Sequence, residues 1–215
     1  MSSATENSGR LLELNIDLLL GVNGSRSLTV EQSARVGEYL KLIKKWDRVH
    51  SLVSKGDLDH LEERHVNDSL ALDPFLKSTG NHLDIGSGAG FPGIPLAICR
   101  PDVHFVLNDR STNRCRFLRE VKFRLRLSNV DVQEGDIGKQ DSSGQLFDTI
   151  TIRAVAPPER AWSLASPLLR EQGTVLLHTK DRFTAKDKRF SQGLVRSCTP
   201  SARGFITVVA KKRAT

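Results

Sequence analysis

Two patterns of apolar and polar positions divide the chain near residue 80. Before that point, apolar residues recur at helical spacing. A short helix is predicted over residues 10–20, closed by Gly21. Thr29, with Gln32 three residues on, carries a capping-box signature. Val36, Tyr39, Leu40, Ile43 and Trp46 then fall on one face of a second helix. A third helix is predicted over 57–77, and no strand pattern occurs in this part. After Gly80, short apolar runs alternate with helix-length segments. Strands are predicted at 82–85, 103–107, 130–133, 147–152 and 174–178, and helices at 92–99, 112–127 and 158–169. Such alternation implies parallel pairing through right-handed crossovers. The expected fold is α/β: a Rossmann-like, doubly wound, mostly parallel sheet with an N-terminal helical cap. A closing strand is expected at 205–210, antiparallel beside one near 194–197. Residues 1–79 are read as the helical segment, packed on a core of residues 80–215.

The densest chemical signal is the stretch Leu83-Asp84-Ile85-Gly86-Ser87-Gly88-Ala89-Gly90-Phe91-Pro92-Gly93, which follows a predicted strand and opens a helix. Gly88, Gly90 and Gly93 spell G-x-G-x-x-G, and Asp109 ends the next strand, so a dinucleotide is one reading. Asp84 favours another. A carboxylate delivered there repels a pyrophosphate by about 1–4 kcal/mol in a wet site. The same charge attracts a cofactor that carries an ammonium and a sulfonium, a description that fits S-adenosylmethionine. Asp109, at its strand's carboxyl end, suits the two ribose hydroxyls. The loop Glu134-Gly135-Asp136-Ile137-Gly138 follows the third strand, where it can read an adenine.

Composition narrows the class. The 215 residues are 38% hydrophobic and 27% charged, ordinary for a globular protein. No apolar run approaches the roughly 18 residues of a membrane span, and the polar first ten residues hold no signal core. Cys99, Cys115 and Cys198 are odd in number and widely separated, which argues against a disulfide framework or a zinc site. A cytoplasmic setting is expected. The net charge of +7 is uneven: residues 180–215 hold ten Lys or Arg against two acids, and residues 110–126 hold seven against one. A polyanionic partner is one reading; solvated helix faces and a basic tail are the other. Composition leaves both open.

Four stretches resemble a known family. They are the glycine loop with its continuation Phe91 to Ile98, then Arg64-His65-Val66-Asn67-Asp68-Ser69-Leu70, then Arg114-Cys115-Arg116-Phe117-Leu118, and Phe147-Asp148 followed by Arg153-Ala154. From about residue 40 to 211 the chain resembles the bacterial small-subunit ribosomal RNA guanine-N7 methyltransferases, the glucose-inhibited division protein B family. It departs from that pattern at Asp47, Ser51, Ile152 and Asp181.

The resemblance implies a class I methyltransferase core, S-adenosylmethionine turned over to S-adenosylhomocysteine, no metal, and cofactor positions at Gly86, Phe91, Ile137, Gly138 and Arg153. These join Asp84, Gly88, Asp109 and Asp136 from the loops. The implied substrate is 16S ribosomal RNA, free or in the small ribosomal subunit, at a guanine near the decoding centre. Guanine N7 carries no proton, so no general base is needed, and Arg153 is expected to position. His65, Arg114, Arg116, Lys180, Arg182 and Lys186 are the candidate RNA contacts, and His65 with Asp68 is also a candidate closure of the cap over the cleft. A monomer is expected. Two rivals stand beside this reading: a nucleotide-dependent oxidoreductase, and a non-catalytic RNA-binding assembly factor on the same scaffold.

Overall fold

The computed structural model describes residues 28–138, 144–153, 155–185, 187–201 and 204–212; the helix expected over 10–20, Ala154 and Lys186 lie outside the described residues. The sheet domain follows the strand–helix alternation. The strands are β1 (Gly80–Ile85), β2 (Val103–Asp109), β3 (Val130–Glu134), β4 (Phe147–Ile152), β5 (Leu169–Thr179), β6 (Gly193–Ser201) and β7 (Gly204–Lys211), in the order β3-β2-β1-β4-β5-β7-β6. The first five in that order run parallel; β7 pairs antiparallel with both β5 and β6. The chain steps outward from β1 to β3, then returns to lay β4 against β1. This reversal opens a crevice at the carboxyl ends of β1 and β4, the usual ligand position in such sheets.

Side chains alternate between two apolar layers. Phe105 and Leu107 of β2 join Val36, Tyr39, Ile94 and Leu118 on one face, whereas Leu83 and Ile85 of β1 join Ile150, Trp162 and Ala165 on the other. The first layer is covered by α1 (Val30–His50), α3 (Gly93–Cys99) and α4 (Thr112–Arg124), the second by α5 (Pro158–Ala165). Covering both faces is what a parallel sheet requires. No helix among the described residues is long and apolar enough to cross a membrane.

Helix α1 begins where its signature said. Thr29 Oγ1 accepts from the Gln32 amide at 3.2 Å, and Gln32 Oε1 accepts from the Thr29 amide at 3.0 Å. Val36, Tyr39 and Ile43 are buried, while Leu40 and Trp46 pack at the margin. The helix expected over 57–77 is broken instead. It becomes a 3-10 turn (Lys55–His60), a π-turn (Glu62–Val66), the single turn α2 (Asn67–Leu70) and a 3-10 turn (Asp73–Phe75). Pro74 lacks the donor a continuing helix needs. The π-turn adds a residue to the ladder and brings His65 and Val66 inward together, a device common near functional sites. Helix α5 likewise stops short of its expected end, at Ala165, because Pro167 follows.

A buried polar line joins β1 to β4 on the α1 side of the sheet. Thr151 donates to Asp84 Oδ1 at 2.8 Å, and His82 Nε2 lies 2.9 Å from the same Thr151 oxygen. With the hydroxyl proton committed to the carboxylate, the imidazole is the donor. Burial pushes the His82 pKa down from 6.5 to about 3.

Two outcomes follow from these contacts. Thr29→Ala should lower the unfolding free energy by about 1 kcal/mol, read by denaturant titration. Between about pH 6.5 and 3 the unfolded chain binds a proton that native His82 refuses, so stability falls as the pH drops through that window. His82→Leu should lack this acid limb: from about pH 6.5 to 4.5 the wild type should lose roughly 2–3 kcal/mol more than the variant. Parallel curves would refute it.

Candidate active site

The crevice is built by a loop that cannot be drawn with ordinary residues. Gly86 has φ of +71°, and a Cβ there would run into the Val155 side chain. A Cβ on Gly93 would collide with Leu107 and with the Asp84 carboxylate. The loop is then tied to its neighbours through its amides. Gly86 and Ser87 donate to the Asn108 carbonyl at 2.8 and 2.9 Å, Gly88 donates to Asp109 Oδ2 at 2.9 Å, and Gly93 donates to Asp84 Oδ2 at 3.2 Å.

Asp84 is 1% exposed. Burial raises its pKa to about 6, against the lowering effect of hydrogen bonds from Thr151 and the Gly93 amide and of the nearby Arg153 charge. Its carboxylate lies under the glycine loop, one layer behind the cavity wall. Asp109, 2% exposed, is held in the wall itself. Its Oδ1 accepts from the Ser111 amide at 2.9 Å, and its Oδ2 faces Arg114 Nη1 at 3.5 Å. Asn108 clamps the neighbouring loop by donating to the carbonyls of Gln133 and Gly135, while Asp136 accepts from the Gly138 amide at 3.1 Å.

The cavity enclosed is about 790 Å³, within the range of small-molecule sites. Its wall brings together Gly86, Asp109, Asp136, Ile137, Gly138 and Arg153 from the sequence-derived set, with Arg114 beside them. Gly88, Phe91 and Asp84 are not among the residues of the wall, although Gly88 is tied to it through Asp109. Arg110, Pro157, Arg160 and Leu164 also line it and were not singled out from the sequence. A signal existed: helix α5 begins just after β4, and a helix start beyond a central strand borders the crevice of such sheets. The wall thus carries Arg110, Arg114, Arg153 and Arg160 against Asp109 and Asp136, a mixed lining suited to a zwitterion with space for a polyanion.

The remaining candidates are dispersed. His65 is 8% exposed, stacked on Phe91 at 4.9 Å, with Nδ1 2.9 Å from Arg153 Nη2. The structure therefore sets it beneath the crevice and not on an outer surface. Asp68 Oδ2 reaches the same guanidinium at 4.0 Å. Arg116 is exposed on α4, outside the cavity wall. Along that helix Arg119 pairs with Glu134, Lys122 with Asp131 and Arg124 with Glu120. Lys180 and Arg182 are exposed in the segment after β5.

Comparison with known proteins is consistent along most of the chain. The family model for rRNA small subunit methyltransferase G (GidB) matches residues 32–199. The ribosomal RNA small subunit methyltransferase G of Methylococcus capsulatus is 41% identical over 147 residues, 68% of this chain and 70% of that protein. The protein of the same name from Shigella flexneri is 36% identical over 160 residues, covering 74% and 76% of the two chains. Solved structures share the fold at low identity. A mutant of MtNAS in complex with S-adenosylmethionine aligns with a TM-score of 0.57 at 17% identity, covering 85% of this chain and 76% of that one. A ribosomal protein L11 methylase from Lactobacillus delbrueckii aligns at 0.56 and 13%, covering 70% and 79%. These are class I methyltransferase-type folds. On the extent of the family match and the identity of its relatives, the chain belongs to the rRNA small subunit methyltransferase G family.

Proposed function

We propose that the crevice holds S-adenosylmethionine and presents its methyl group to N7 of a guanine in 16S ribosomal RNA, free or within the small ribosomal subunit. The observation that carries this reading is the mixed-charge cavity at the β1–β4 switch point, with Asp109 fixed on one side and Arg153 on the other. Its lining fits the donor. Asp109 keeps lone pairs beyond those taken by the Gly88 and Ser111 amides and accepts from the ribose hydroxyls. Ile137 supplies an apolar contact for the adenine, on a turn held by the hydrogen bond from the Gly138 amide to Asp136. Arg153 pairs with the carboxylate of the amino acid portion, and Asp84, below the loop, adds negative potential near its ammonium.

When bound, S-adenosylmethionine supplies a methyl group on a sulfonium, an electrophile that a free lone pair displaces in line. Guanine N7 has such a lone pair, so the side chains are asked to position and not to remove a proton. Arg110, Arg114 and Arg160 lie on the remaining wall and suit the phosphates of the target nucleotide, contacts that give salt-sensitive affinity without reading sequence. A direct bond from an arginine to N7 would block the nucleophile, which favours phosphate as the partner of these cations.

Nucleotide-resolved mapping of 7-methylguanosine in 16S ribosomal RNA, with and without this gene, tests the whole reading; a site present in both strains refutes it. Asp109→Ala should weaken donor binding about ten- to a hundredfold in calorimetry, through the loss of charge-assisted hydrogen bonds. Gly86→Leu should abolish methyl transfer while RNA binding stays measurable and salt-sensitive. Wild-type turnover by either variant would place the donor elsewhere.

A further inference from the structure

We infer that His65 is a positioning residue: as the neutral tautomer with its proton on Nε2, it holds the Arg153 guanidinium in place at the cavity wall. The inference builds on the cofactor reading above. A guanidinium has only donors. Arg153 Nη2 lies 2.9 Å from His65 Nδ1, so Nδ1 must accept and Nε2 must carry the ring proton. Nε2 then faces Asp57 Oδ2 at 3.4 Å, an acceptor of the right kind.

Asp57 is itself anchored. Its Oδ2 accepts from Ser54 Oγ at 2.7 Å, and Arg64 Nη1 approaches its Oδ1 at 3.4 Å. The imidazole plane is set by Phe91, stacked at 4.9 Å and 30°, and the backbone behind it is fastened by Ser69, whose hydroxyl donates to the His65 carbonyl. Three separate segments therefore meet on one ring: the turn bearing Asp57, the glycine loop bearing Phe91, and the end of β4 bearing Arg153.

Arg153 needs such a hold. Its side chain is 14% exposed and sits at the edge of the cavity, and a long, charged side chain left free samples many rotamers. Fixing the guanidinium before the donor arrives removes an ordering cost from binding. His65 touches neither donor nor RNA in this scheme. It acts through Arg153, and the neutral ring matters because a second proton on Nδ1 would remove the acceptor and set two cations together.

Two substitutions separate the acceptor from the ring. His65→Phe keeps a ring to stack on Phe91 and loses the acceptor; His65→Asn keeps an acceptor close to the Nδ1 position and loses the stacking. With His65→Phe, the calorimetric Kd for S-adenosylmethionine and the KM for the donor should both rise about tenfold while kcat stays within about twofold, the size of one charge-assisted hydrogen bond. With His65→Asn, both constants should return to within about threefold of wild type even if thermal stability falls. Wild-type affinity in His65→Phe, or weaker binding by Asn than by Phe, overturns the inference and leaves a packing role. Nitrogen-15 histidine spectra of the ligand-free protein test it without any donor: His65 should show an unprotonated Nδ1 and a protonated Nε2 near neutral pH, and Arg153→Leu should shift the Nδ1 resonance. A proton on Nδ1 sinks it, whatever the donor measurements say. Failure of wild-type protein to bind the donor would instead strike the cofactor reading.

Discussion

One buried carboxylate holds the active-site end of this molecule together. Asp84 receives the Thr151 hydroxyl from β4 and the Gly93 amide from the start of α3. A charge with so little exposure must be matched by donors or be lost as a charge. The requirement fixes β1, β4 and the glycine loop relative to one another before any ligand is present. With the loop so placed, its amides reach Asn108 and Asp109, and the acidic corner of the crevice follows. Hydrophobic layers on both faces stabilise the sheet, but they do not specify where the loop lies; the polar contacts do.

The same economy governs the helical part. Tyr39 of α1 donates to the Ala89 carbonyl at 2.6 Å, so the long helix is latched to the glycine loop as well as packed beneath it. The broken segment after α1 contributes His65 and Asp68 to the underside of Arg153. Helical cap and sheet therefore meet on the site, and the groups nearest the proposed donor take their positions from both.

Much of this was legible in the residue order, and the reasons for the gaps are physical. Strands such as Val103–Asp109 declare themselves because a strand buried on two faces carries a short apolar run, here Phe105, Val106 and Leu107. The closing antiparallel pair was readable for a similar reason. The segment from Lys55 to Phe75 was not, because its irregular turns answer to contacts made by Asp57, His65 and Asp68 with distant residues, which no local propensity encodes. Asp109 is legible from its place at a strand end and Arg153 from the family resemblance, and both line the cavity. The residue order shows Arg114 as a basic residue of α4 but not its place in the cavity wall beside Asp109; a helix in sequence does not say which way each arginine faces. The same holds for Arg160 on α5, whereas Arg110 sits in the turn between β2 and α4, where no periodicity shows a direction.

The two outer strands of the sheet carry a last consequence. An exposed edge offers a ladder of unpaired amides on which a foreign strand can grow. Here β3 is five residues long and bears Asp131 and Glu134, and β6 is interrupted by a register shift between Val195 and Ser197, with Arg196 at the irregularity and Pro200 near its end. Proline has no amide hydrogen to offer, and the shift breaks the spacing that an incoming chain would have to match. Both margins are thus blunted against templated fibril growth.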